Sequence, residues 1–343
     1  MDKKINILYQ FKDGPFGGAN QFLKGLKVKL LNKGLYENNA FDADIIIINS
    51  SPSSFTKSLR PLMKIIFKFP EKFIVNRIDG PVGLIRNSGI EYDKSFMLFS
   101  KYFCDGIIYQ SSWSRNKLLN LNIIPKISET IILNGSDSSF FNTLDRDSFN
   151  SSDKIKIISS SWSENMNKGF NAYKWLDENL NFDKYEMTFV GNSPLNFKNI
   201  KMIPPKSSQT LIDLLKKNDI YITASQNDPC SNSLIEAISC GTIPISLNDG
   251  GHSEINPIKE LNFDRVSEIP QLLNYVEENH EYLIKNLTID NLKSVSERYI
   301  DFVLGLKKRN NYNFLTKIMV LVRIILNIYI RKLIDFLNFK YAI

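Results

Sequence analysis

Residues Asp219–Ile255 read DIYITASQNDPCSNSLIEAISCGTIPISLNDGGHSEI. Ile220–Thr223 is a short apolar run of the kind that forms a strand buried on both faces. A polar loop follows, then a helix over Ser231–Ser239, then a second strand at Ile243–Leu247. This order leaves free backbone N–H groups and the positive end of a helix dipole at the loop, which suits phosphate or sugar hydroxyls. Asp228 lies in the loop and Glu236 lies eight positions on, inside the helix, so both can reach one ligand from the same end. In isolation such a pair reads as a capped helix with an exposed acid.

The strand–helix rhythm extends in both directions. Before the quoted stretch come strands at Ile155–Ser159, Glu186–Val190 and Lys201–Ile203, with helices at Gly169–Leu180 and Gln209–Lys217. Helices from about Val266 to Lys308 are expected to close this block. Further upstream, strands are expected at Ile5–Phe11, Asp44–Asn49, Phe73–Arg77, Gly106–Tyr109 and Thr130–Leu133. A glycine-bearing turn at Asp13–Gly18 opens a helix whose Phe22, Leu23, Leu26, Leu30 and Leu31 share one side. The polar run Asp145–Asp153 separates the blocks. Alternating strands and helices predict two doubly wound α/β domains. Ligands bind such sheets at the carboxyl ends of their strands.

Composition agrees with two folded domains: 343 residues, 43% apolar and 23% charged, at about 100–200 residues per domain. The net charge of +7 would suggest nucleic acid if it were spread over the chain. From Lys307 onward, however, eight bases face the single acid Asp335, so the rest is balanced and nucleic acid is not expected as a partner. Cys104, Cys230 and Cys240 are scattered without zinc spacing, which suits a reducing compartment. The N-terminus lacks the pattern of a signal peptide.

The quoted stretch resembles the donor-binding segment of family 4 retaining glycosyltransferases, of the GT-B superfamily (glycosyl transferases group 1). An acid, seven residues, a second acid, Cys-Gly, a Pro-containing strand and a Gly-Gly turn carry the likeness. The resemblance implies a GT-B fold of two facing Rossmann-like domains. Residues 1–148 would form the acceptor domain, 149–290 the nucleotide-sugar donor domain, and 291–343 C-terminal helices including an amphipathic basic tail. It also implies that Asp228 contacts donor sugar hydroxyls and that Glu236 binds the nucleotide ribose. Gly250 and Gly251 match the glycine turn, where backbone approaches a ligand or a neighbouring chain. The helix start at Ser231, Asn232 and Ser233 would face the phosphates.

Other segments match in order. Phe16-Gly17-Gly18-Ala19-Asn20 resembles the N-terminal glycine loop, placing Gly17, Gly18 and Asn20 near the donor. Ile132–Asp137 resembles the Asn-Gly turn ending the first domain. Phe189–Pro194, with Asn192, resembles the turn beside the nucleotide base. Lys168-Gly169 matches the phosphate-binding Lys-Gly pair. The family's preceding Arg is replaced by Ser163, and the family's first Glu by Asp228. The second cation is either another base, such as Arg77 or Arg86, or absent, with backbone and Lys168 holding the diphosphate.

Asn76–Pro81 ends a strand on the cleft side, making Arg77 and Asp79 candidates for acceptor binding or catalysis. A strand-end ion pair is the simpler alternative. His252 sits in the glycine turn, as ligand contact or turn cap. Cys230 is read as packing. No metal is expected, because Asp42-Ala43-Asp44 precedes a strand rather than following one, and no other cofactor is implied.

In the tail, Arg323, Asn327, Arg331, Asp335 and Asn338 recur every three or four positions, with apolar residues filling the rest. This predicts an interfacial helix on an anionic membrane, against the alternative of a helix packed back on the first domain. The sequence thus reads as a cytoplasmic enzyme on the inner membrane face. It would move a sugar from a nucleotide-diphosphate sugar to a glycan, lipid or other acceptor with retention, in cell-surface polysaccharide or glycolipid synthesis. The alternatives are a GT-B sugar-nucleotide epimerase and a non-catalytic sugar-nucleotide-binding or membrane-scaffold protein.

Overall fold

A computed structural model describes residues 3–13, 18–150, 153–309 and 312–341. In chain order its first elements are β1 (Ile5–Leu8), α1 (Gly18–Asn32), β2 (Ile45–Ser50), α2 (Pro52–Lys68), β3 (Phe73–Ile78), α3 (Val82–Ile85) and α4 (Ile90–Phe103). Next come β4 (Gly106–Tyr109), α5 (Ser112–Leu119), β5 (Ser128–Ile131), β6 (Ile155–Ser161), α6 (Phe170–Asn179), β7 (Tyr185–Gly191), β8 (Lys201–Ile203) and α7 (Ser208–Lys216). The chain ends with β9 (Ile220–Thr223), α8 (Asn232–Ser239), β10 (Ile243–Leu247), α9 (His252–Ile255), β11 (Asn262–Phe263), α10 (Ile269–Lys285), α11 (Leu292–Leu304) and α12 (Phe314–Tyr341).

β1 to β5 form a parallel sheet in sequence order, and β6 to β11 a second one ordered β11-β10-β9-β6-β7-β8. The chain divides into two compact units. One holds Met1–Lys12, Leu23–Leu133 and Ser296–Ile343, and the other Asp13–Phe22 and Asn134–Val295.

In the first unit β2 is buried along its whole length, because its isoleucines meet side chains on both faces of the sheet. Ile46, Ile48, Ile74, Ile78 and Ile107 form one core with Phe55, Leu62 and Ile65 of α2 and with Phe96 and Phe99 of α4.

The C-terminal helices depart from expectation. α10 closes the second core through Ile269, Leu273 and Val276, but from Ser296 onward the chain belongs to the first unit. Gly106 opens β4 to it: a Cβ there would stand 3.0 Å from Leu306 and 3.2 Å from Phe302. The tail then packs back, with α12 lying along α4 and Val320, Ile324 and Ile328 entering the first core. Lys308 pairs with Asp105 at 2.9 Å, and Arg309 donates to the carbonyls of Lys101 and Tyr102, so the start of the basic excess is structural. No helix among the described residues is long and apolar enough to cross a membrane.

In the second unit the chain runs one way from β6 through β7 and β8, and the other way from β9 through β10 and β11. The adjacent ends of β6 and β9 are therefore the switch point, where open α/β sheets bind ligands.

Candidate active site

Two loops meet at that switch point. After β6, Ser161–Gly169 turns back on itself: the Ser163 amide donates to Ser161 Oγ (3.2 Å) and the Asn165 amide to Ser163 Oγ (3.2 Å). Ser163, standing where the resembling family has Arg, thus builds the loop. A 3₁₀ turn over Met166–Lys168 ends at Gly169, whose φ of +90° favours glycine. A Cβ at Gly169 would also strike the Ala224 carbonyl at 2.5 Å, and the Gln226 amide donates to the Asn167 carbonyl at 2.7 Å. Lys168 is thereby held beside the loop that follows β9.

That second loop is clamped from the other side. The Gly251 amide donates to the Asp228 carbonyl (2.8 Å), and the Asn227 amide donates to Asp249 Oδ2 (2.8 Å). Gly250, at φ +66°, approaches Asp228 so closely that a Cβ would lie 2.2 Å from its carbonyl oxygen. The glycine turn therefore serves backbone packing and fixes where Asp228 stands.

Lys168 Nζ lies 3.0 Å from Asp228 Oδ2. Burial would raise the Asp228 carboxyl, but Lys168 and then His252 outweigh it and hold the group below the ordinary aspartate value. Glu236 behaves oppositely. Among the described residues nothing hydrogen-bonds or pairs with its carboxylate, and burial alone pushes it up to about 7. A poorly solvated acid without a partner, on the helix that starts at the switch point, is suited to accept hydrogen bonds from ligand hydroxyls.

Around these acids, Ser231 and Ser233 share a hydroxyl contact of 3.2 Å, and Tyr221 bonds Ser160 at 3.1 Å beneath them. Asn232 Oδ1 accepts from Asn134 Nδ2 at 2.9 Å, while Cys230 Sγ accepts the Asn134 amide at 3.3 Å. Gly18 adjoins Asn232, since a Cβ there would stand 1.7 Å from its amide nitrogen; Asn20 is buried nearby in sequence. Gly17 lies outside the described residues. Asn192 donates to the Trp162 carbonyl at 2.9 Å and so shapes the end of β6. His252 is fully buried, with Nδ1 3.1 Å from the Leu247 carbonyl, and burial lowers its pKa. It is a buried support behind Asp228, without a surface exposed to a ligand.

Asn134, in the turn at Ile132–Asp137, meets Asn232 across a long stretch of sequence, so no local pattern announces the pair. Beside the loops, Asn167, Gly169, Trp175, Gln226, Phe263 and Asp264 line a cavity of about 350 Å³. No cluster of three or more His, Cys, Asp or Glu suited to a metal occurs among the described residues.

The first unit holds the other candidates. Arg77 is fully buried at the end of β3. Its Nε donates to Tyr299 Oη (3.0 Å), and its Nη1 donates to Asp79 Oδ1 (3.0 Å) and to Asn49. Gln110 Nε2 also donates to Asp79 Oδ1 at 3.0 Å. Arg77 therefore has no surface to offer a diphosphate and instead orients Asp79, whose side chain stays 28% exposed. Asp93 accepts the amides of Val82 (2.7 Å) and Gly83 (2.8 Å), fixing the segment after Asp79; burial pushes its carboxyl to about 6.

The fold is GT-B, with two parallel sheets flanked by helices as in solved glycosyltransferases of that architecture. Anabaena HepE in complex with UDP-glucose has a TM-score of 0.61 at 14% identity, over 88% of this chain and 96% of that one. An alpha-glucosyltransferase in complex with UDP and DNA gives 0.59 at 14% identity, over 88% and 100%. WaaG, a glycosyltransferase involved in lipopolysaccharide biosynthesis, gives 0.59 at 10% identity, over 88% and 99%. Residues 178–262 match the sequence profile of the family described as Glycosyl transferases group 1, a span that includes Asp228, Glu236 and the glycine turn. No curated protein matches the chain.

Proposed function

We propose that the protein is a retaining glycosyltransferase that uses a nucleotide-diphosphate sugar. The observation that carries this reading is the unpaired Glu236 carboxylate on the helix that opens beside the Lys168–Asp228 pair. Ribose hydroxyls would donate to Glu236, and the sugar's hydroxyls to Asp228. The diphosphate would meet Lys168, the hydroxyls of Ser231 and Ser233, and the amides at the start of α8. As the sugar–phosphate bond breaks, negative charge grows on the leaving diphosphate, and preorganised donors of this kind stabilise it. Departure and acceptor attack on one face of the sugar, with the leaving phosphate taking the acceptor proton, would retain configuration without a separate base. Asp79, oriented by Arg77 and Gln110, is the candidate group for the acceptor.

A uridine diphosphate sugar is the first donor to test, given the ligands named for the HepE structure. The acceptor would be a glycan or a lipid-linked saccharide, in cell-surface polysaccharide or glycolipid synthesis. The protein would work on the inner membrane face, attached peripherally. No metal or other cofactor enters this scheme.

A nucleotide-sugar panel with membrane lipid extract as acceptor tests it by nucleotide release and by the anomeric configuration of the product. Retained configuration supports the reading, and inverted configuration overturns the mechanism. Ser163, which supplies no charge where the resembling family has Arg, favours one second reading: a sugar-nucleotide-binding protein without turnover. Tight donor binding with no release on any extract would establish that reading instead.

A further inference from the structure

We propose that α12 and the adjoining end of α2 form one surface that seats on an anionic lipid membrane. The apolar side of α12 would lie in the interface, and the bases of α2 against the headgroups. This rests on the membrane part of the reading above and assigns the residues that make the contact.

α12 has two apolar sides. Val320, Ile324 and Ile328 are buried in the first core. Leu315, Met319, Val322, Leu326, Ile330 and Leu333 recur every three or four positions on the opposite side, each half or more exposed. A helix docked on a globular core ordinarily turns polar residues outward. Here the outward side is a continuous apolar stripe on a helix of 28 residues, about 42 Å long. Hydrophobic residues scattered singly over a surface are ordinary, but a contiguous patch of this kind marks a contact. Arg323 and Lys332 are exposed on its flanks, and Asp335, the one acid of the helix, is paired with Arg331.

α2 adds charge. Arg60, Lys64 and Lys68 succeed one another at helical spacing on its exposed side, and α2 contains no acid. Phe67 of α2 meets Phe314 of α12 with ring centroids 5.8 Å apart, so the basic end of one helix adjoins the start of the other. A second copy of the chain would bring the same unbalanced bases against themselves. Anionic headgroups neutralise them while the acyl region takes up the stripe, which selects lipid as the occupant.

Co-sedimentation of the full chain with phosphatidylcholine vesicles, with and without one third phosphatidylglycerol, tests this. The parent should bind the anionic vesicles. The variant Arg60→Glu, Lys64→Glu, Lys68→Glu should bind them at least about 100-fold more weakly at low salt, from the loss of three surface attractions and their reversal. Leu326→Glu with Ile330→Glu should also lose binding. Both variants should keep the parent's circular dichroism and nucleotide affinity, and the α2 variant decides alone if the α12 variant does not fold. If the parent binds and the folded variants bind equally well, this surface is wrong while the membrane reading stands. If the parent ignores all vesicles, both fall. A dimer abolished by Leu326→Glu, in a protein that ignores vesicles, gives the surface to a second copy and overturns the proposal.

Discussion

Lys168 Nζ and Asp228 Oδ2 stand 3.0 Å apart, each on a loop whose path is set by a glycine at positive φ: Gly169 for one, Gly250 for the other. The pair joins the ends of β6 and β9, strands separated in sequence by two others but adjacent in the sheet. A bound diphosphate would compete with Asp228 for the lysine, so binding and ion pairing are coupled at this point.

Lys168→Ala should therefore act in two ways. It should lower turnover far more than it weakens binding of a neutral nucleoside, because in the proposed reaction its charge would stabilise the departing diphosphate. It should also cost about 1–3 kcal/mol of stability at pH 7, by leaving a largely buried carboxylate without its partner. The Asp228 carboxyl is depressed in the folded state, so the pair's stabilisation is present above the unfolded carboxyl value near 4 and is lost as pH falls through the folded one. Chemical denaturation should show the full penalty at pH 7 and a progressively smaller one as pH falls below the unfolded carboxyl value. An equal penalty throughout would separate Lys168 from Asp228.

Glu236 gives the opposite pH dependence. Its carboxyl is raised to about 7 in the folded state, so the fold holds more protons than the unfolded chain between about 4.5 and 7. Its contribution to stability falls as pH rises through that window. Glu236→Gln should leave the unliganded protein more stable than the parent at pH 8, on the order of 1–3 kcal/mol, and indistinguishable near pH 4. A variant less stable at pH 8 would mean that the carboxylate has a structural partner.

Tyr299→Phe removes one of the bonds that hold the buried Arg77 guanidinium. Hydrogen bonds to charged groups contribute about 1.5–3 kcal/mol, so a loss of that size in denaturant is expected. If Arg77 acts by orienting Asp79, acceptor KM or kcat should change while donor affinity stays at the parent value. A selective loss of donor affinity would contradict the assignment of Asp79 to the acceptor.

Deleting the chain from Asn313 onward should destabilise the first unit, because Val320, Ile324 and Ile328 complete its core. Removing three such side chains from a packed interior costs several kcal/mol at roughly 1.5–3 each. Calorimetry should show a marked fall in the melting temperature. A truncated protein that melts like the parent would return α12 to the role of a detachable tail.

Much of this was legible from periodicity. The isoleucine run of β2, the second sheet's strands through β10 and the helix after Asp228 are local patterns, so their elements fall within a few residues of expectation. The residues that needed the fold are those whose partners are distant in sequence. Nothing near Arg77 announces Tyr299, which lies on α11 and reaches the end of β3 only because the chain recrosses to the first unit. Likewise, the polar stripe of the tail was visible but its direction was not. Two apolar sides share one helical repeat, and only contact with α4 decides which is buried. β11, two residues long, is too short to leave a pattern.

If Glu236 receives the hydroxyls of a nucleotide donor, calorimetric titration of uridine and other nucleoside diphosphates will show it. Hydroxyl donors favour the charged carboxylate, so binding near pH 7 should release protons, seen as heats that vary with the ionisation enthalpy of the buffer. Glu236→Gln should abolish that release and weaken affinity by roughly 10- to 150-fold, the equivalent of about 1.5–3 kcal/mol. Binding without proton release and with equal affinity in the variant, or no binding of any nucleoside diphosphate, would remove Glu236 from the donor site.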